Sequence, residues 1–189
     1  MSEEILNPDE KAQASYSGLI FSADGKRIYL SNVRGDVKVL AVGADHKVTP
    51  LYSIPLPSTH LSARESEIPA GLALSPDGKR LYVAGNLSNR LIEVDTATGK
   101  TLRTFDTGSL PYDVVLVGEK AYVSNWGGRR PDAQSLIGPS GRGTIVRVDP
   151  VMGIATNGSV SVINLRAGAP TPLEKEITVG AHSCGLALS

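Results

Sequence analysis

Gly71-Leu72-Ala73-Leu74-Ser75-Pro76-Asp77-Gly78-Lys79-Arg80-Leu81-Tyr82-Val83-Ala84-Gly85-Asn86 is the stretch that decides the fold, because it occurs more than once. Gly18-Leu19-Ile20-Phe21-Ser22-Ala23-Asp24-Gly25-Lys26-Arg27-Ile28-Tyr29-Leu30-Ser31-Asn32 is a second copy. Asp113-Val114-Val115-Leu116-Val117-Gly118-Glu119-Lys120-Ala121-Tyr122-Val123-Ser124-Asn125 is a third with a shorter turn, and Cys184-Gly185-Leu186-Ala187-Leu188-Ser189 opens a fourth. The equivalent positions 18, 71, 113 and 185 are spaced 53, 42 and 72 apart. The shortest spacing matches one four-stranded propeller blade, about 40 to 50 residues, and the other two read as the same unit with insertions.

Within the second copy, residues 71–75 and 80–84 are runs of small, aliphatic and β-forming residues on either side of Pro76-Asp77-Gly78, a turn in which proline presets φ and glycine accepts φ > 0. Residues 90–95 alternate and read as a third strand, Thr96–Lys100 as a turn and 101–106 as a fourth strand. No segment carries a helical apolar stripe, so the chain is all-β. A β-sandwich is the competing architecture, but it would not require near-identical turns at blade spacing. Face-to-face blades bury their inner strands on both sides, which suits the continuous runs Gly71–Leu74 and Val114–Val117. The expected architecture is an open arc of about three four-stranded antiparallel blades (16–69, 70–111 and 112–183). The first strand of a fourth follows at 184–189, and a polar segment precedes the arc at 1–15.

The 189 residues include 20 Gly and 12 Pro, and 41% are hydrophobic, enough for a sizeable core. Nineteen Lys and Arg balance nineteen Asp and Glu. There is then no net field to attract nucleic acid or an anionic membrane, and Arg129-Arg130 is too short to be a basic patch. One cysteine, Cys184, excludes an intrachain disulfide and reads as a small buried hydrophobe. His46, His60 and His182 match no metal-ligand spacing, so no metal or other cofactor is expected. No apolar run reaches the length of a membrane span, and Met1–Ala14 lacks the apolar region of a signal peptide.

The segment 75–86, with Ile92-Glu93-Val94-Asp95-Thr96-Ala97-Thr98-Gly99-Lys100, resembles the YVTN family of β-propeller repeats. That family's core appears as Tyr29-Leu30-Ser31-Asn32, Tyr82-Val83-Ala84-Gly85-Asn86 and Tyr122-Val123-Ser124-Asn125, none with its threonine. The third unit (Ser124–Arg129, Gly143–Pro150 and Gly158–Leu165) is similar to bacterial propellers that precede an alkaline-phosphatase-like phosphoesterase domain. The resemblance implies a propeller fold and a periplasmic or secreted parent whose remaining blades would be the chain's partners. The phosphoesterase's hydrolytic residues have no counterparts here, and propellers host many unrelated functions.

Strand direction places the Asp-Gly turns on one rim. It places Pro55–Ala70, the insertion from about Trp126 to Gly158, and Gly180–Ser183 on the other. Long loops on a rigid scaffold are where binding sits. The long-loop rim collects His60, Trp126, Arg129, Arg130, Asp132 and His182, with Arg64, Glu65 and Glu67 nearby. One account is a pocket with arginines for an anionic group and a tryptophan platform for a small-molecule or protein ligand. The simpler account is a Trp126 packed between blades and charges that are merely solvated. No Ser-His-Asp order is recognisable, so no catalytic residue is assigned. The function expected is a non-catalytic binding or scaffold segment of a larger exported protein, and the alternative is part of a lactonase-like propeller hydrolase. Within the insertion, residues 144–148 are expected to pair antiparallel with 160–165 as a hairpin turned at Asn157-Gly158.

Overall fold

The computed structural model describes residues 14–62, 64–140 and 143–188. Most of the polar segment expected at 1–15, and Ser189 of the expected fourth blade, lie outside them. The first sheet contains β1 (Ala14–Phe21), β2 (Arg27–Asn32), β3 (Asp36–Val42) and β4 (Val48–Pro55). The second contains β5 (Pro69–Leu74), β6 (Arg80–Gly85), β7 (Arg90–Asp95) and β8 (Thr101–Asp106). After β9 (Pro111–Val117) and β10 (Lys120–Asn125) the insertion supplies a separate ribbon, β11 (Ile137–Pro139) with β12 (Ile145–Arg147). β13 (Ser159–Asn164) and β14 (Leu173–Thr178) then complete the third sheet. Each large sheet is an antiparallel meander, and the first strands β1, β5 and β9 neighbour one another. This is the open arc of propeller blades that the repeat predicts.

The repeat is reproduced at the level of single hydrogen bonds. Ser22 Oγ donates to Asp24 Oδ1 at 2.6 Å and the Lys26 N–H to the same oxygen at 3.0 Å. Ser75, Asp77 and Lys79 do the same at 2.6 and 3.0 Å, with Gly25 and Gly78 at φ 69° and 68°. In both turns the serine hydroxyl, foremost, holds the aspartate below its ordinary range. The turns are thus fixed by local chemistry, which is why they can be read from four residues.

Between blades the contacts are apolar. Tyr29, Val37 and Ile54 of the first sheet pack on Leu72, Val83 and Ile92 of the second. Tyr82, Leu91 and Phe105 pack in turn on Val114, Val123 and Ile163 of the third. The repeated serine adds a polar tie: Ser31 Oγ donates to the Ala70 carbonyl of the next blade at 2.7 Å. Ser124 Oγ donates in the same way to the Cys184 carbonyl, and the Leu186 N–H donates to Asp113 Oδ2 at 2.8 Å. Residues 184–188 therefore lie where a fourth inner strand would run, although no strand among the described residues pairs with them. For the same reason Cys184 is exposed rather than buried as the sequence suggests, since no further blade covers it here. Apolar side chains also remain exposed at both ends of the arc, Leu19 and Phe21 on the first blade and Val117, Leu173 and Ile177 on the third.

The expected pairing of 144–148 with 160–165 is not what forms. β12 pairs with β11, setting Ile137 opposite Arg147 and Pro139 opposite Ile145. β13 is the third strand of its blade, and both of its edges are taken, by β10 and by β14. Asn157-Gly158 makes no hairpin turn, because Gly158 instead exchanges backbone hydrogen bonds with Val179 and Gly180.

Candidate functional site

The two rims are distinct. The Asp77-Gly78 turn lies beside the 96–100 turn, through Thr96 Oγ1 donating to Gly78 O at 2.8 Å. On the other rim the Trp126 N–H donates to Leu110 O at 3.0 Å. Trp126-Gly127-Gly128 needs its glycines. The Ser109 N–H donates to Gly128 O and the Gly127 N–H to Ser109 O, so the backbones run in close contact. Gly128 sits at φ 73°, where any Cβ would strike the Asn157 carbonyl.

Behind this rim, Glu67 is 1% exposed. Its Oε1 accepts the Ile68 and Leu87 N–H groups, both at 2.8 Å, and its Oε2 accepts the Ser88 N–H at 3.2 Å. This buried carboxylate fastens the loop that carries Asn86 and Asn89. Asn89 Oδ1 in turn accepts the Leu110 N–H at 2.8 Å. Asn89, Leu110 and His182 all hold positive φ (55°, 56° and 58°); asparagine and histidine enter that region readily, but Leu110 does so only because its surroundings impose it.

Between this rim and the insertion lies a cleft of about 580 Å³. Asn86, Leu110, Tyr112 and Trp126 form its propeller wall. The insertion contributes Pro139, Ser140, Val146, Val148 and Ile154. His182 closes one side, its ring stacked on Trp126 at 4.5 Å between centroids and 13° between planes. Leu110, Val146 and Ala155 form a small core of their own, against which Trp126 and Val148 pack. Such a stack contributes about 1 kcal/mol beyond area burial. His182→Ala is therefore expected to lower stability by roughly that amount and to change the emission of Trp126, the chain's one tryptophan. An unchanged emission spectrum would mean that the two rings do not stack in solution.

Of the sequence-derived site residues, only Trp126 and His182 meet in the cleft. His60 is exposed in the 56–68 connection and does not line it. Arg64 is a strut, donating to Ser66 O at 3.0 Å and to Val33 O. Arg130 clamps the insertion to the blade 2–3 connection, its Nε donating to Thr107 O at 2.7 Å and its Nη2 to Asn89 O and Asp106. Arg129 is paired with Asp132 at 2.7 Å. The arginines hold the insertion in place and form no part of the cleft wall. The cleft's aliphatic wall was missed by the sequence reading. Its signal was an apolar content (Val146, Val148, Ile154) too high for a solvated loop.

The Ser135 hydroxyl, and then Arg129, pull the Asp132 carboxyl down to about 2 from 3.8. A depressed value means the ionised form is the one the fold favours. The contribution is present above the unfolded value and is lost as pH falls through about 2. An NMR titration is expected to place the Asp132 midpoint near 2 and Ser135→Ala to raise it; an ordinary midpoint in the parent chain would refute the contact.

No family model matches the chain, and no curated protein does. Solved structures do. A periplasmic gluconolactonase of Pseudomonas aeruginosa is 22% identical, with a TM-score of 0.57 over 87% of this chain and 40% of that one. A protein of Bacteroides fragilis assigned as a 6-phosphogluconolactonase is 20% identical, TM-score 0.57, over 88% and 40%. A Bacteroides uniformis protein with the same assignment is 17% identical, TM-score 0.51, over 97% and 61%. The fold is a β-propeller's. The chain spans only about 40% of the length of the first two of these proteins.

Proposed function

We propose that this chain is a non-catalytic segment of a larger, exported propeller protein, and that it binds a ligand in the cleft between Trp126, His182 and the insertion. The observation that carries this reading is the cleft itself. An insertion that shares a small core with Leu110 builds one wall, two residues with left-handed backbone (Leu110 and His182) line the cleft, and so does an aromatic pair. Strained positions of this kind gather at binding sites, where the surrounding structure over-determines them. The remaining blades of the parent would cover the apolar faces at both ends of the arc. The periplasmic lactonase among the similar structures is compatible with an exported parent.

The second reading, a lactonase-like hydrolase, is favoured by the names of the similar structures. Against it, the described lining of the cleft contains no Asp, Glu, Lys or Arg, and His182 has no carboxylate there to orient it. The test is a comparison of saturable changes in Trp126 fluorescence with turnover of aldonolactones in the presence of divalent cations. Binding without turnover is expected. Lactone hydrolysis that disappears in His182→Ala would overturn the non-catalytic reading.

A further inference from the structure

The chemistry of the cleft wall narrows what it can hold. The insertion side is Pro139, Val146, Val148 and Ile154, an aliphatic surface facing the Trp126–His182 pair. Among the described residues no side chain of the lining carries a permanent charge. An ion brought against such a wall gives up hydration for nothing. A free sugar fares little better, because its ring of hydroxyls needs polar partners on both walls; Asn86, Tyr112 and His182 stand on one side, but the insertion wall offers one. That one, Ser140 Oγ, is itself closed to solvent. The volume, about 580 Å³, lies within the range of sites for drug-sized molecules.

We propose that the cleft takes an uncharged, ring-containing small molecule, its apolar face against the Trp126–His182 pair and the aliphatic wall. This rests on the cleft being the binding site. It goes further in naming the ligand's class, and it rejects the anionic ligand that Arg129 and Arg130 suggest in the sequence.

The lone tryptophan gives a direct readout on the full chain. Benzyl alcohol, benzoate, benzylammonium and methyl glucoside are titrated against Trp126 emission, excited where none of them absorbs. Benzyl alcohol is expected to bind saturably and at least about fivefold more tightly than each of the other three. Ile154 lies exposed at the cleft, so Ile154→Lys leaves the core intact and adds the missing charge; it is expected to make benzoate the best ligand. If no probe changes Trp126 emission saturably, the cleft is not a binding site and both readings fall. If probes bind but benzoate, benzylammonium or the glucoside leads in the parent chain, only the uncharged apolar class is overturned.

Discussion

Glu67→Ala is expected to lower the unfolding free energy by about 4 kcal/mol, among the largest effects available to a single side chain. The carboxylate is 1% exposed and accepts three backbone N–H groups, two of them from the 86–89 loop on the far side of β6. Truncation leaves those donors buried with nothing to bond, and each orphan costs about 1–3 kcal/mol, reduced by whatever water enters the space. Glu67→Gln keeps an oxygen for Ile68 and Leu87 but turns an amide group toward Ser88, so roughly half the loss is expected. Urea unfolding reads both, as a fall in midpoint at constant slope. Because the loop carries Asn86 and Asn89, the alanine variant is also expected to weaken ligand binding in the cleft. A midpoint unchanged from the unsubstituted chain would show that Glu67 does not fasten the 86–89 loop.

Gly71→Ala is expected to cost about 3 kcal/mol, although it adds a single methyl group. A Cβ at Gly71 would stand 2.6 Å from Asp113 Cα and 2.9 Å from Tyr112 O. These are backbone atoms of the next blade's inner strand and cannot swing aside, so blades 2 and 3 must part. Gly185 occupies the same position of the repeat and has nothing within 4 Å of its Cβ. Gly185→Ala is therefore expected to change stability by less than about 0.5 kcal/mol. The pair makes a test in which the sequence context is shared and only the tertiary neighbour differs. Equal losses in the two variants would mean that strand propensity, not blade packing, selects the glycine.

What the sequence determined by itself is what local chemistry fixes. Ser-x-Asp-Gly closes its turn through bonds spanning two to five residues, and the runs on either side of it have no choice but to pair. Three meanders and their turns were legible for that reason; the two-sided burial expected of the inner strands holds for Gly71 and Leu72 but not for Val117, which stays exposed. The arc followed, because apolar faces repeated at blade spacing must stack on one another. Partner choice across longer separations was decided by the tertiary structure. Residues 145–147 were readable as a strand. That they would pair with 137–139 depended on β13 having both edges filled by β10 and β14. Arg129 and Arg130 were readable as charges on the right rim, but whether a charge serves a ligand or a neighbouring carbonyl depends on which acceptors the fold brings within 3 Å. Here these were Asp132, Thr107 and Asn89. Trp126 and His182, 56 residues apart in the chain, meet because β13 and β14 fold back along β10 and return the chain to the same rim. A turn is a property of neighbours in sequence. A cleft is a property of neighbours in space, and the sequence named two of its walls' residues without being able to say that they touch.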